Sequence, residues 1–142
     1  MYLITPYMAI DKLILNSPTS EIEKILGSGN DKQSKYFPDI EIGKYAKGIT
    51  VEYRKNLSCF IGVLISLEPV HLEFNFYNKS YDDVMNYFKS YPGDIYIEGG
   101  ETSIISEHLG ISTYFEDGLK EVGIFSKSYR EEFVKGLELI KR

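Results

Sequence analysis

The residues able to do chemistry are few. His71 and His108 are the chain's two histidines, and Cys59 is its one cysteine. Zinc held by protein alone needs about four ligands, usually cysteine and histidine closely spaced. Here neither histidine has a histidine at i+4 or a cysteine pair beside it. Cys59 heads an apolar run through Leu67, where a thiol serves as a small hydrophobe; a Cys–His nucleophile would need an activating base beside it. The Gly27-Ser28-Gly29 sequence follows a helical pattern. A phosphate cradle requires the glycines to open a helix, because only the N-terminus presents free N–H groups and the positive dipole end. Glu98-Gly99-Gly100-Glu101 sets two carboxylates close in sequence, a pairing that could serve acid–base work. On either side of a Gly-Gly turn they read as solvated loop charges. Calcium would need oxygen ligands at alternate loop positions, which no segment supplies. The chain is therefore expected to be no enzyme, to carry no cofactor or metal, and to act by binding.

Charge and aromatic content indicate what it could bind. The net charge of −5 is uneven: residues 1–62 sum to +1 and residues 63–142 to −6. Between Lys89 and Lys120 there is no Lys or Arg, while Asp94, Glu98, Glu101, Glu107, Glu116 and Asp117 fall in that stretch. Such a field repels nucleic acid and anionic membrane and attracts basic partners. Twelve tyrosines accompany eight phenylalanines with no tryptophan. Tyrosine supplies contact area at low entropic cost, and it also favours strands on its own account. Alternation exposes Tyr77, Tyr96 and Tyr114. Together with Glu98, Glu101, Glu116 and Asp117 they form the expected partner-binding set. With 43% apolar and 26% charged residues, the 142-residue chain has the composition of a globular protein. The N-terminus, MYLITPYMAIDK, shows neither a signal peptide nor a lipidation cysteine. With its single cysteine, it suggests a cytoplasmic protein.

The elements that must position these residues repeat. At an offset of 62, Asn16 meets Asn78, Glu21-Ile22 meets Asp83-Val84, and Leu26 meets Phe88. Further on, Gly48-Ile49 meets Gly110-Ile111, Tyr53 meets Phe115, Leu57 meets Leu119, and Phe60 meets Val122. In the first half Ser17-Pro18 starts a helix bearing Ile22, Ile25 and Leu26, and Gly27 with Gly29 ends it. Strands follow near 44–53 and 58–66. In the second half, 70–77 alternates as a strand, with Val70, Leu72, Phe74 and Phe76 on one face. Ser80 with Asp83 resembles a capping box ahead of the stripe Tyr81, Val84, Met85, Phe88. Strands at 95–98, 103–115 and 120–126 follow, the last two joined across Asp117-Gly118. Tyr129, Phe133, Leu137 and Ile140 predict a terminal helix over 128–141. The expected fold is α+β and two-layered, one domain of two helix-plus-antiparallel-hairpin repeats (about 1–66 and 67–127) plus the C-terminal helix. The helices cover one sheet face, leaving the other free for a partner.

These units, Ser17-Pro18 to Leu26-Gly27 followed by Gly48-Ile49-Thr50-Val51-Glu52-Tyr53, and Leu109-Gly110-Ile111 to Asp117-Gly118 followed by Val122-Gly123-Ile124, resemble the repeats of the beta-lactamase inhibitory protein-like fold. The resemblance covers nearly the whole chain as a pattern of apolar spacing. Cytoplasmic immunity proteins of bacterial contact-dependent or polymorphic toxin systems look similar, as does the small outer-membrane assembly lipoprotein domain. The secreted inhibitors carry signal peptides and disulfides, and the lipoprotein a lipidated cysteine; this sequence shows none of these. The resemblance thus implies an immunity protein, and the acidic, tyrosine-bearing stretch suggests a basic, nuclease-type toxin domain as what it neutralises. A non-catalytic adaptor or a small-ligand-binding module with a pocket between helix and sheet is the alternative.

Overall fold

The structure, a computed structural model, describes residues 1–33, 37–135 and 137–140. The chain opens with three short strands, β1 (Tyr2–Thr5), β2 (Ala9–Ile10) and β3 (Leu13–Ile14). Helix α1 (Thr19–Leu26) leads into β4 (Asn30–Gln33), β5 (Ile40–Tyr45), β6 (Ile49–Arg54) and β7 (Leu57–Leu64). A hairpin, β8 (Pro69–His71) and β9 (Phe74–Asn75), precedes α2 (Tyr81–Lys89). Four more strands follow: β10 (Ile95–Glu98), β11 (Ser103–Ser106), β12 (Ile111–Phe115) and β13 (Leu119–Phe125). The chain ends in a 3₁₀ turn, α3 (Arg130–Val134) and β14 (Glu138–Ile140). The protein is thus mixed α and β. Among the described residues no helix is long and apolar enough to cross a membrane.

Nine strands form one antiparallel sheet in the order β14-β10-β11-β12-β13-β7-β6-β5-β4. A smaller sheet runs β3-β2-β1-β8-β9, with β1 and β8 parallel. The centre of the large sheet is β7 against β13, where Gly62 pairs with Gly123. Several features recur at one spacing. Helices α1 and α2 start at Thr19 and Tyr81, β6 and β12 at Ile49 and Ile111, and β7 and β13 at Leu57 and Leu119, 62 residues apart each time. The register shifts, marking a bulge, between Glu52 and Tyr53 and again between Tyr114 and Phe115. The left-handed backbone of Gly48 returns at Gly110, and that of Asn56 at Gly118.

Local chemistry explains the helices. In α2 the Ser80 hydroxyl accepts the Asp83 N–H and the Asp83 carboxylate accepts the Ser80 N–H, so two otherwise unsatisfied donors are met. This is the capping box expected from sequence. Val84 and Phe88 then bury one stripe of the helix, an arrangement worth roughly 1.5–3 kcal/mol per fully buried side chain. Helix α1 starts after an extended Pro18 and ends at Gly27, whose φ of 81° a side chain would resist. Its buried residue is Ile22.

Consecutive residues in a strand face opposite ways. Ile61, Ile104 and Ile124 join α1, α2 and the small sheet in the main core. Their neighbours Phe60, Ile105 and Phe125 belong to a second cluster on the other face, with Ile40, Cys59 and Tyr129. Phe133, Val134 and Leu137 from the C-terminal segment pack on it.

The structure departs from the sequence-based expectation in four places. The second sheet face is not left open throughout: the C-terminal segment packs on it, because Tyr129, Phe133 and Leu137 need an apolar partner. The terminal helix is short, Arg130–Val134, and edge strand β14, which pairs with β10, follows it; residues 136 and 141 lie outside the described residues. The alternation at 70–77 is a hairpin, not one strand. It turns at Leu72, which has φ 53° and is 69% exposed, while His71 is buried. The stretch 103–115 is two strands separated by a turn at Gly110, because an N–H from Gly110 returns to the Ser106 carbonyl.

Candidate functional site

Residues paired across adjacent strands share a face. One row on the second face runs Glu98, Ser103, Tyr114, Glu121, Leu64 across five strands. The next row runs Tyr96, Ile105, Ser112, Gly123, Gly62, Thr50, Lys44. The third holds Phe125, Phe60, Glu52 and Ile42. The C-terminal segment lies over the third row: Phe133 stacks on Phe60 with centroids 5.3 Å apart and on Phe125 at 4.7 Å. The C-terminal segment leaves the first row and the Lys44 end of the second clear, with a cleft lined by Lys44, Leu64, Tyr114, Lys120 and Glu121 beside the buried Thr50.

This half-open face sets Glu98, Glu116 and Glu121 against Lys44 and Lys120 around an aromatic centre. Tyr114 is 37% exposed, and its hydroxyl donates to Glu116 Oε2 at 3.2 Å. That bond to a carboxylate raises the Tyr114 pKa, and the charge of Glu98 acts the same way. Lys120 donates to the same Glu116 oxygen at 3.1 Å and holds the Glu116 carboxyl below its usual range. Deeper in, the Glu121 carboxylate lies over Gly62, where an added Cβ would sit 2.9 Å from its Cδ. Burial raises the Glu121 pKa against the pull of Lys44 and Lys120. Glu52 is raised chiefly by burial and further by Glu121, although the Tyr129 hydroxyl donates to it at 3.1 Å. Lys44 Nζ donates to Thr50 Oγ1 at 3.0 Å and draws both carboxylates down. On the uncovered part of the face Glu121 is therefore the carboxylate that burial makes costly to keep charged, with Lys44 and Lys120 offsetting part of that cost.

The structure brings together part of the partner set expected from sequence. Glu98, Tyr114 and Glu116 share this face, with Asp117 at the tip of the β12–β13 hairpin in a left-handed backbone. Three others lie elsewhere. Tyr96 is in the same face's second row but is half-buried under the C-terminal segment. Glu101 lies in the turn between β10 and β11, where its charge adds to the rise in the Tyr81 pKa that burial causes. Tyr77, 45% exposed, precedes α2. Glu52, Glu121, Lys44 and Leu64 escaped the sequence reading. Each occupies a polar or outward phase of its strand, but only the β7–β13 pairing sets the two glutamates near one another.

The remaining chemical groups are held in packing. Burial pushes the Cys59 thiol up to about 12, so it is protonated at neutral pH. His71 is buried, its Nδ1 is 2.6 Å from the Tyr87 hydroxyl, and burial lowers its pKa. His108 stacks on Tyr91 with centroids 5.8 Å apart. Among the described residues no group of three or more His, Cys, Asp or Glu is placed to hold a metal ion. No protein-family model, curated protein or solved structure matches this chain.

Proposed function

We propose that this chain is a cytoplasmic immunity protein that neutralises a basic, nuclease-type bacterial toxin domain by covering its active site or substrate face. It acts by binding and performs no chemistry. In this reading the shared 62-residue spacing reflects a tandem duplication of one helix-plus-hairpin unit. The observation that carries the proposal is the row Glu98, Ser103, Tyr114, Glu121 with Glu116 beside it on the uncovered half of the large sheet. A protein that holds phosphate backbones presents Lys and Arg. An acidic face speeds its approach, and a central tyrosine slows its release.

The test is co-expression with the toxin domain encoded beside this chain, followed by capture of the complex. Rescue of growth with a stable complex is the expected result. Glu98→Lys combined with Tyr114→Ala should keep the thermal melt and weaken binding at least tenfold, about 1.4 kcal/mol. Glu101→Lys, in the β10–β11 turn outside the row, should leave affinity unchanged. Equal losses from the two variants, or none from the first, would move the interface off this face. The adaptor and ligand-binding alternative draws support from a second cleft, beside α1.

A further inference from the structure

A cleft of about 460 Å³ opens between the last turn of α1, the β2–β3 hairpin and the turn joining β5 to β6. Tyr2, Ile25 and Leu26 wall it with apolar surface, Leu13 borders it from within the core, and Ala46 keeps its lining small. Ile25 is half exposed on α1, although a helical position facing only solvent would suit a polar residue better. At the lip stand Lys12 and Lys47, both exposed. The one carboxylate among the lining residues, Asp11, accepts the Leu3 N–H at 2.7 Å, so the lining carries two positive charges against one negative.

The other half of the chain offers an internal comparison. The β8–β9 hairpin pairs His71 with Phe74, just as the β2–β3 hairpin pairs Ile10 with Leu13. By that match and the 62-residue helix spacing, Phe74 stands for Leu13, Tyr87 for Ile25 and His108 for Ala46. The second corner is also a cleft, of about 450 Å³, but aromatic rings wall it: Phe74 stacks on Tyr87 with centroids 3.9 Å apart. Glu73 occupies the place that Lys12 has in the first. The two corners thus share a scaffold and differ in chemistry. The first has mainly aliphatic walls, Tyr2 apart, and two lysines at its lip; the second has aromatic walls and Glu73 at its lip.

We infer that the α1 cleft binds an amphipathic anion, a medium-chain carboxylate whose alkyl chain lies on Tyr2, Ile25 and Leu26 and whose head group meets Lys12 and Lys47. The volume falls within the range of small-molecule pockets, and the apolar wall with a few polar groups at its rim is their usual composition. The inference stands apart from the toxin-neutralising reading, which uses the opposite face of the large sheet.

Calorimetric titration of the full chain with octanoate, decanoate and dodecanoate below their micellar concentrations tests it. Binding should be one to one and should strengthen up to roughly fourfold per added methylene. Amide shifts in nuclear magnetic resonance spectra should centre on Tyr2, Leu13, Ile25 and Leu26. Dodecylammonium should bind at least tenfold more weakly than dodecanoate. Lys12→Glu with Lys47→Glu should reverse that order, and Ile25→Glu, at a half-exposed helix position, should abolish dodecanoate binding. No saturable binding by the parent protein would overturn the proposal. So would equal affinity for the ammonium, indifference to the lysine reversals, or shifts centred on Phe74 and Tyr87. Should a variant fail to fold, the parent's shift map and its carboxylate-over-ammonium preference still decide.

Discussion

At Glu121 the cost of the half-open face can be measured. Its carboxylate is folded over Gly62 in a partly desolvated site, and burial raises its pKa. A carboxyl whose pKa is higher in the folded than in the unfolded chain binds protons more readily when folded. Its stabilising effect is present below the ordinary carboxylate range and is lost as pH rises through the folded pKa. Glu121→Gln keeps the shape and removes the charge. The variant should melt a few degrees higher than the parent at pH 7. That advantage should shrink as pH falls through the raised Glu121 pKa and vanish below the unfolded carboxylate range. A pH series of thermal melts checks this. A variant less stable than the parent at pH 7 would mean that the attraction of Lys44 and Lys120 outweighs burial. The same substitution should weaken a basic partner, because the partner's cation supplies what the site lacks.

The strands explain why that carboxylate can fold down at all. Gly62 and Gly123 face each other across β7 and β13, and the Phe60 ring lies over both. A Cβ at Gly123 would sit 2.5 Å from two Phe60 ring atoms and 3.0 Å from the Ile61 carbonyl oxygen. Gly123→Ala should therefore cost about 1–3 kcal/mol in denaturant unfolding, despite alanine's better strand propensity. In a Phe60→Leu background the same change should cost less, and an equal cost in both backgrounds would show that the ring is not what the glycine makes room for. Elements of this kind divide by how local their causes are. The capping box at Ser80 and Asp83 and the Asp117-Gly118 hairpin are legible in sequence because each is fixed within four residues. The hairpin at Leu72 is not, since a left-handed turn ordinarily carries Gly or Asn and a leucine there conceals it. Nor could alternation reveal that β13 pairs with β7. Glu52 and Glu121 thus read as two unrelated strand polars, and Tyr96 read as exposed although strand β14 and the C-terminal segment close over its neighbourhood.

Across the whole molecule the two halves share one interior. Ile22 of α1 and Val84 and Phe88 of α2 belong to the same buried cluster, together with Ile61, Val63, Val122 and Ile124 from the two central strands. The small sheet crosses the same divide, since β1 pairs with β8. Separating the halves would strip the β7–β13 pairing and expose apolar surface on both sides of it, so neither can open far without the other. The chain should unfold in one cooperative step. Transitions followed by far-UV circular dichroism and by tyrosine fluorescence should superimpose in denaturant, and the calorimetric and van't Hoff enthalpies should agree. Gly123→Ala, at the seam, should shift that single midpoint without splitting it. In hydrogen exchange the slowest amides of β6 and of β12 should open with the same free energy, although they lie in different halves and 62 residues apart. Two transitions, or β12 amides that open while those of β6 stay protected, would mean that the seam is a weak joint between two separately stable units. A partner seated across Glu98, Tyr114 and Glu121 on one side and Leu64 and Lys44 on the other would then bridge that joint, and its binding would raise the stability of both units together.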